Sequence, residues 1–288
     1  MLGHKMFQVL RQRHPGTLGT LLGPRDAFAR VDLLQGADVL ENLDVTDRAA
    51  LARVLGAHRP DVVVNCVGIV KQRDAAKVAV PSIAINALLP HVLVEVCGAW
   101  GGRVIHFSTD CVFDGRRGRY TEDDRPDADD LYGKSKALGE IGLAGEPNAL
   151  TLRTSIIGRE LATFQSLLEW FLAQARRGDK VRGFSRAIYA GVTTNHLAEL
   201  VARIVEEHPR LAGLYQVASA PIAKLDLLRL LRDAYRLPAD IEADDTFFCD
   251  RSMRGDKLRE AIGYVAPPWP ELVRELAADP TPYDRWRS

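Results

Sequence analysis

The stretch Asp61 to Gly68, DVVVNCVG, decides the fold. It is apolar on both faces, which is what a central strand of a parallel sheet needs when helices cover it above and below. Working backwards, "TDRAALARVLGAH" (46–58) places a Thr46 or Asp47 cap ahead of helically spaced Leu51, Val54 and Leu55. Before it, "TLGTLLG" (17–23) and "ADVLENLDV" (37–45) read as strands. Working forwards, a long helix is expected near 79–99, then the strand "RVIHFST", a glycine-rich acidic loop, the helix "LYGKSKALGEIGLA" and the strand "ALTLRTSIIG". Strands alternating with longer helices are the signature of βα units around a doubly wound parallel sheet, so the fold class is α/β. From about residue 159 the rhythm loosens. The helix "TFQSLLEWFLAQARRG", a short strand pair near 180–190, the helix "NHLAELVARIVEEH", the strand "GLYQVASA" and the helix "IAKLDLLRLLRDAYRL" follow. With no repeat, low-complexity tract or long linker, the reading is a main domain over 1–158 and a smaller α+β lobe over 159–288, with segments returning to the main domain.

Composition bounds the function. The 288 residues, 47% hydrophobic, can bury a substantial core, and 38 basic residues balance 38 acidic ones. No global field therefore favours nucleic acid or an anionic membrane. The four cysteines, Cys66, Cys97, Cys111 and Cys249, form no CxxC, which points to free thiols in a reducing, cytoplasmic compartment. No apolar run approaches the roughly 20 residues of a membrane helix, and the N-terminus lacks the order of a signal peptide. The seven histidines show no metal-ligand spacing, so no metal site is expected.

The opening "MLGHKMFQVL" reads as a helix already under way, with Met6, Phe7, Val9 and Leu10 on its apolar face. A parallel sheet of this kind normally starts with a strand and a glycine-rich turn, after which a helix N-terminus faces a dinucleotide's pyrophosphate. Gly3 stands where the third glycine of such a turn would stand. The first strand and the two earlier glycines are missing, so the chain is expected to lack the central strand of its sheet and to bind cofactor weakly or be unstable as written.

Chemistry concentrates in two segments. "HFSTDCVFDG" (106–115) ends a strand in hydroxyl and carboxylate groups, and "LYGKSK" (131–136) begins a helix. Tyr132 and Lys136 are four apart and share a helix face. An ammonium beside a phenol stabilises the phenolate and is expected to lower its pKa from about 10, so that Tyr132 can exchange a proton with an alcohol and ketone pair. Thr109, at a strand's carboxyl end, where ligands of such sheets bind, can hydrogen-bond the same oxygen. The Tyr and Lys pair alone is weak, since seven tyrosines and eight lysines make a chance pairing easy. Its joint placement with Ser108, Thr109 and Asp110 gives it weight.

Together "FSTDCVFDG", "YTEDD" (120–124), "YGKSKALGE" and "LRTSIIGRE" resemble the extended short-chain dehydrogenase/reductases, and within them the dTDP-4-dehydrorhamnose reductase branch. The resemblance runs from Met1 to about residue 201 and more loosely beyond. It implies a Rossmann-like fold and NADPH or NADH as cofactor. Tyr132 becomes the proton donor, Lys136 the group that holds the nicotinamide ribose, and Thr109 the family's Ser/Thr. Asp44 matches an acidic residue contacting the adenine amino group. Asn65, Cys66, Val67 and Gly68 match the segment lining the cofactor's ribose and diphosphate. Asn86 matches a helix asparagine that supports the site through the backbone. Asp110 faces the sugar, with Ile156, Arg186 and Tyr189 as further substrate-side candidates. The implied reaction is reduction of a nucleotide-linked 4-keto-6-deoxy sugar, dTDP-4-dehydrorhamnose to dTDP-L-rhamnose being the leading case, by a homodimer in this reading. Arg25 can accept a 2′-phosphate or stand as a solvated charge. Ile156 departs from the family's "RTSW", which keeps three alternatives open: a reductase of another nucleotide sugar such as a UDP-linked acetamido sugar, an epimerase, and a non-catalytic regulatory relative. The missing start is the second departure, ascribed to a start codon assigned to an internal methionine or to a chain cut there.

Overall fold

The computed structural model describes residues 1–71 and 74–287. The chain enters through helix α1 (Leu2–Arg13), followed by the short strands β1 (Gly19–Thr20) and β2 (Val39–Leu40), helix α2 (Arg48–His58) and strand β3 (Val62–Asn65). A helical span follows as α3 (Ala79–Ser82), a π-helical turn (Ile83–Leu88) and α4 (Leu89–Gly98), leading to β4 (Arg103–Thr109), α5 (Leu131–Leu138) and β5 (Ala149–Thr154). Beyond these come β6 (Ile156–Ile157), α6 (Leu167–Arg176), β7 (Val181–Phe184), β8 (Ala187–Tyr189), β9 (Val192–Thr193), α7 (Thr194–Glu207) and β10 (Gly213–Val217). The last stretch carries β11 (Ile222–Ala223), α8 (Lys224–Tyr235), β12 (Ile241–Asp244), β13 (Cys249–Asp250), α9 (Asp256–Ile262), α10 (Trp269–Ala277) and α11 (Tyr283–Arg287).

Four strands form the central sheet in the order β10-β5-β4-β3, all parallel. β4 is buried along its whole length, and its side chains alternate between two cores. Ile105 and Phe107 enter the larger one with Leu2, Met6, Val9 and Leu10 of α1, while Val104 joins Leu51, Leu89, Val92 and Leu93 on the opposite face. Helices on both faces explain the two-sided apolar character of the strands. β1 and β2 pair in parallel with each other alone, and among the described residues no strand is bound to the outer edge of β3. Among the described residues the β1-β2 pair and the four-stranded sheet are therefore separate.

Several expectations are corrected. The strands read over 17–23 and 37–45 contract to two residues each, because each has one partner edge only. The strand pair near 180–190 does not pair internally. β7 binds β12, while β8 binds β11 and β13, so all three partners come from beyond residue 220. The helix read over 131–144 stops at Leu138, and residues Ile141–Ala144 form a separate 3-10 turn. The stretch Ala79–Gly98 does have a spanning helix's length and apolarity, 20 residues at mean hydropathy 1.6, contrary to the expectation that no run approaches it. Pro81, Ser82, Asn86 and His91 hide that apolarity in the bare sequence. In the fold Ser82 and Asn86 are buried against the neighbouring elements.

Candidate active site

The carboxyl ends of β3, β4 and β5 lie side by side, with Asn65 opposite His106 and Thr109 opposite Thr154 in the register. A cleft of about 400 Å³ opens over them. It is lined by Met1, Leu2 and Gly3 of the α1 start, by the loop from Asn65 to Lys71, by Phe107 to Cys111, by Tyr132 and Lys136, and by Thr154 to Ile156. Of the residues singled out from the sequence, the cleft brings together Gly3, Asn65, Cys66, Val67, Gly68, Thr109, Asp110, Tyr132, Lys136 and Ile156. Three it does not. Asp44 is exposed, its carboxylate accepting from the Thr46 backbone N–H at 2.9 Å and hydroxyl at 2.7 Å. Arg186 is exposed and lies over the Phe248 ring, and Tyr189 is buried with its ring against Trp269.

Asn86 stands behind the cleft on the π turn, fully buried. Its side chain accepts from Ile69 N–H at 2.9 Å and donates to Ile69 C=O at 3.0 Å, so it clamps the loop after β3. It also reaches Ser135 of α5 at 3.3 Å. π turns are rare and concentrate at functional sites.

Helix α5 is capped by Asp130, whose carboxylate accepts from Gly133 N–H at 2.8 Å and pairs with Lys71 at 2.5 Å. That ion pair ties the loop after β3 to the helix carrying Tyr132. Thr109 ends β4 and caps the next turn by accepting from Cys111 N–H at 3.1 Å, while donating to Asp110 at 3.0 Å. Lys136 is buried and donates to the Phe107 carbonyl at 2.6 Å, with its amine 3.1 Å from His106 Nε2. Burial pushes its amine down to about 8, against a smaller upward pull from Glu140.

The expectation of a lowered Tyr132 pKa is not met. Burial pushes the phenol above its ordinary value, the neighbouring Cys111 and Asp110 add to this, and the Thr109 hydroxyl counters it in part. The Lys136 amine, expected to offset this, is engaged instead by the Phe107 carbonyl and His106. Burial likewise raises the Cys66 and Cys111 thiols to about 12, and all four cysteines are free.

Sequence reading passed over His106, which is completely buried, and over Glu160 and Ser166, which line the cleft from the second half. A histidine inside an otherwise apolar strand is the one signal that pointed to the first. The other two stand in a loop whose approach depends on the fold.

Comparison with known proteins places this geometry among relatives. The family model described as the RmlD substrate binding domain matches residues 9–242. A probable low-salt glycan biosynthesis reductase of Haloferax volcanii is 28% identical over 224 residues, covering 76% of this chain and 71% of that protein. A dTDP-4-dehydrorhamnose reductase of Mycobacterium tuberculosis is 35% identical over 146 residues, 49% of this chain, and the chain spans only 47% of its length. Among solved structures, the dTDP-4-dehydrorhamnose reductase of Bacillus anthracis in complex with NADP superposes with a TM-score of 0.73 at 19% identity, covering 90% of this chain and 98% of that one. The Bordetella bronchiseptica enzyme WbmG in complex with NAD and UDP does so with 0.79 at 17% identity, covering 96% and 91%. Both share the fold.

Proposed function

From the premise that the chain belongs to the RmlD substrate binding domain family, we propose that it is an NAD(P)H-dependent reductase of a nucleotide-linked 4-keto-6-deoxy sugar, dTDP-4-dehydrorhamnose being the leading substrate. The observation that carries this is the convergence of Thr109, Tyr132 and Lys136 in one cleft at the carboxyl ends of parallel strands. The donor set suits the nicotinamide half of a dinucleotide: a buried amine, a phenol and a hydroxyl stand across the cleft from the start of α1. When bound, the nicotinamide supplies the hydride that reaches C4 of the sugar.

The chain's own groups do the rest. Tyr132 holds the proton that passes to the carbonyl oxygen at C4, and its raised pKa keeps it in the proton-bearing form. Thr109 positions that oxygen by donating a hydrogen bond. Lys136 binds the ribose and, as its charge turns toward the phenol, lowers the cost of the phenolate left behind. Asn86 keeps the loop from Asn65 to Lys71 in place by holding both backbone groups of Ile69. In this reading residues 1–158 hold the cofactor and 159–288 supply the sugar side.

Ile156 favours a second reading. It lines the cleft where the family's aromatic residue would stand, so a different nucleotide sugar with a bulkier ring substituent is the alternative substrate. The test is NADPH oxidation with dTDP-4-keto-6-deoxy-L-mannose as acceptor. Turnover that falls by roughly 10²-fold or more in Tyr132→Phe supports the reductase and its proton donor. Cofactor binding without turnover moves the substrate to another nucleotide sugar, and no cofactor binding removes the proposal.

A further inference from the structure

Behind the cleft runs a chain of buried polar groups of which the proposed reaction uses only one end. Asn65, His106 and Lys136 are 5%, 0% and 6% exposed. The Val67 N–H donates to Asn65 Oδ1 at 3.1 Å, which fixes the amide and turns its nitrogen to His106 Nδ1, 3.1 Å away. An amide nitrogen only donates, so Nδ1 carries no proton. Burial, then the nearness of Lys136 and His91, keeps the ring uncharged. Its single proton therefore sits on Nε2, facing Lys136 Nζ at 3.1 Å. An ammonium has no lone pair to accept it, whereas a neutral amine accepts from Nε2–H and still donates to Phe107 C=O.

Charging Lys136 reverses the order. The amine takes a proton from solvent and donates to Nε2, and the ring proton moves to Nδ1. Asn65 must then turn its oxygen toward the ring, which releases the Val67 N–H. We propose that His106 is a positioning residue that couples the proton on Lys136 to the Val67 backbone: a neutral amine keeps the Val67 N–H on Asn65, and a charged one frees it toward the cleft. Val67 lines that cleft, so an acceptor on a bound ligand would meet the charged amine and the free N–H together. This consequence rests on the reductase reading, while the coupling itself does not.

The groups facing the relay are few. Glu140 lies one turn beyond Lys136, held by Arg153 and Ser108. Asp110 and Cys111 of the turn after β4 and Tyr132 of α5 line the cleft together with Lys136. His91 of α4 faces His106 with its ring on the Leu138 carbonyl.

The coupling is tested in the ligand-free protein by long-range ¹H–¹⁵N NMR of the His106 ring and the Val67 amide, titrated through the Lys136 transition near pH 8. The expected result is the Nε2–H tautomer above the transition and the Nδ1–H tautomer below it, with the Val67 amide shifting at the same midpoint. Lys136→Met should abolish both changes. A ring that keeps one tautomer throughout, or a Val67 amide that does not follow, overturns the proposal. Because no cofactor enters the measurement, failed NADPH turnover would sink the reductase reading and leave the relay to stand or fall separately.

Discussion

Lys136 is the residue on which chemistry and stability pull in opposite directions. Its amine falls from 10.5 to about 8 because burial strips its water, which corresponds to about 3 kcal/mol lost from the folded state. Between about 8 and 10.5 the unfolded chain binds a proton that the folded chain has released, so stability rises with pH across that window. Below about 8 both states are protonated and the whole cost stands. Lys136→Met is thus expected to be more stable than the wild type at neutral pH, by up to about 3 kcal/mol less its lost hydrogen bonds, with the gap narrowing from about pH 8 to about 10.5, and to be inactive. Urea unfolding at the two pH values checks it; a less stable variant at neutral pH would mean that the bonds to Phe107 and His106 outweigh the desolvation. Tyr132, Lys136 and Thr109 were legible in the sequence because a four-residue helical spacing and a strand end are local patterns. The direction of the Tyr132 shift was not, since it depends on where the amine points across the sheet.

Helix α5 is placed by two absent side chains. A Cβ on Gly133 would come within 2.2 Å of the Cys111 carbonyl oxygen and 2.4 Å of the Ala128 side chain, and one on Gly139 within 2.1 Å of the Asn86 carbonyl oxygen. These contacts let the helix lie against the turn after β4 and against the π turn, which is what brings Tyr132 to Thr109 and Ser135 to Asn86. Gly133→Ala is expected to destabilise by about 1–3 kcal/mol and to lower turnover more than it raises the cofactor's Kd, because Tyr132 is the next residue. Denaturant midpoints and a kcat against Kd comparison measure this. Unchanged stability would show that backbone oxygens give way more easily than the packing implies. The existence of α5 and its start were readable from its spacing, whereas its Asp130 cap emerged only with the fold. The π turn was not, for nothing in "SIAINALLP" distinguishes it from an ordinary helix until Asn86 is seen clamping Ile69. The partners of β7 and β8 were equally hidden, since four-residue and three-residue strands carry no mark of a mate so far along the chain.

At the scale of the whole molecule, the helix that borders the cleft is anchored by the far end of the chain. Lys5 of α1 forms an ion pair with Asp279 at 2.7 Å, with side chains 4% and 5% exposed, and its amine also donates to Gln8 and Thr281 at 2.8 Å. His4 reaches the Tyr283 hydroxyl at 2.9 Å. Burial alone would push the Asp279 carboxyl up, yet Lys5 and Thr281 outweigh it and hold it below the ordinary range. With a depressed folded-state pKa, this carboxylate contributes stability above the ordinary carboxylate pKa, and the contribution is lost as pH falls through the folded value. Asp279→Asn leaves the Lys5 charge buried without its counterion, and the expected cost is about 3–5 kcal/mol. Replacing both partners by apolar residues, Lys5→Met with Asp279→Leu, should recover most of that cost, because the penalty belongs to the orphaned charge more than to the loss of attraction. A double variant as unstable as the single one would mean instead that the hydrogen bonds to Gln8 and Thr281 hold the helix. Since Met1, Leu2 and Gly3 line the cleft from the same helix, loosening this anchor should also weaken nicotinamide cofactor binding while leaving the Thr109, Tyr132 and Lys136 arrangement unchanged. Dinucleotide affinity that stays at the wild-type value in Asp279→Asn would separate the anchor from the site.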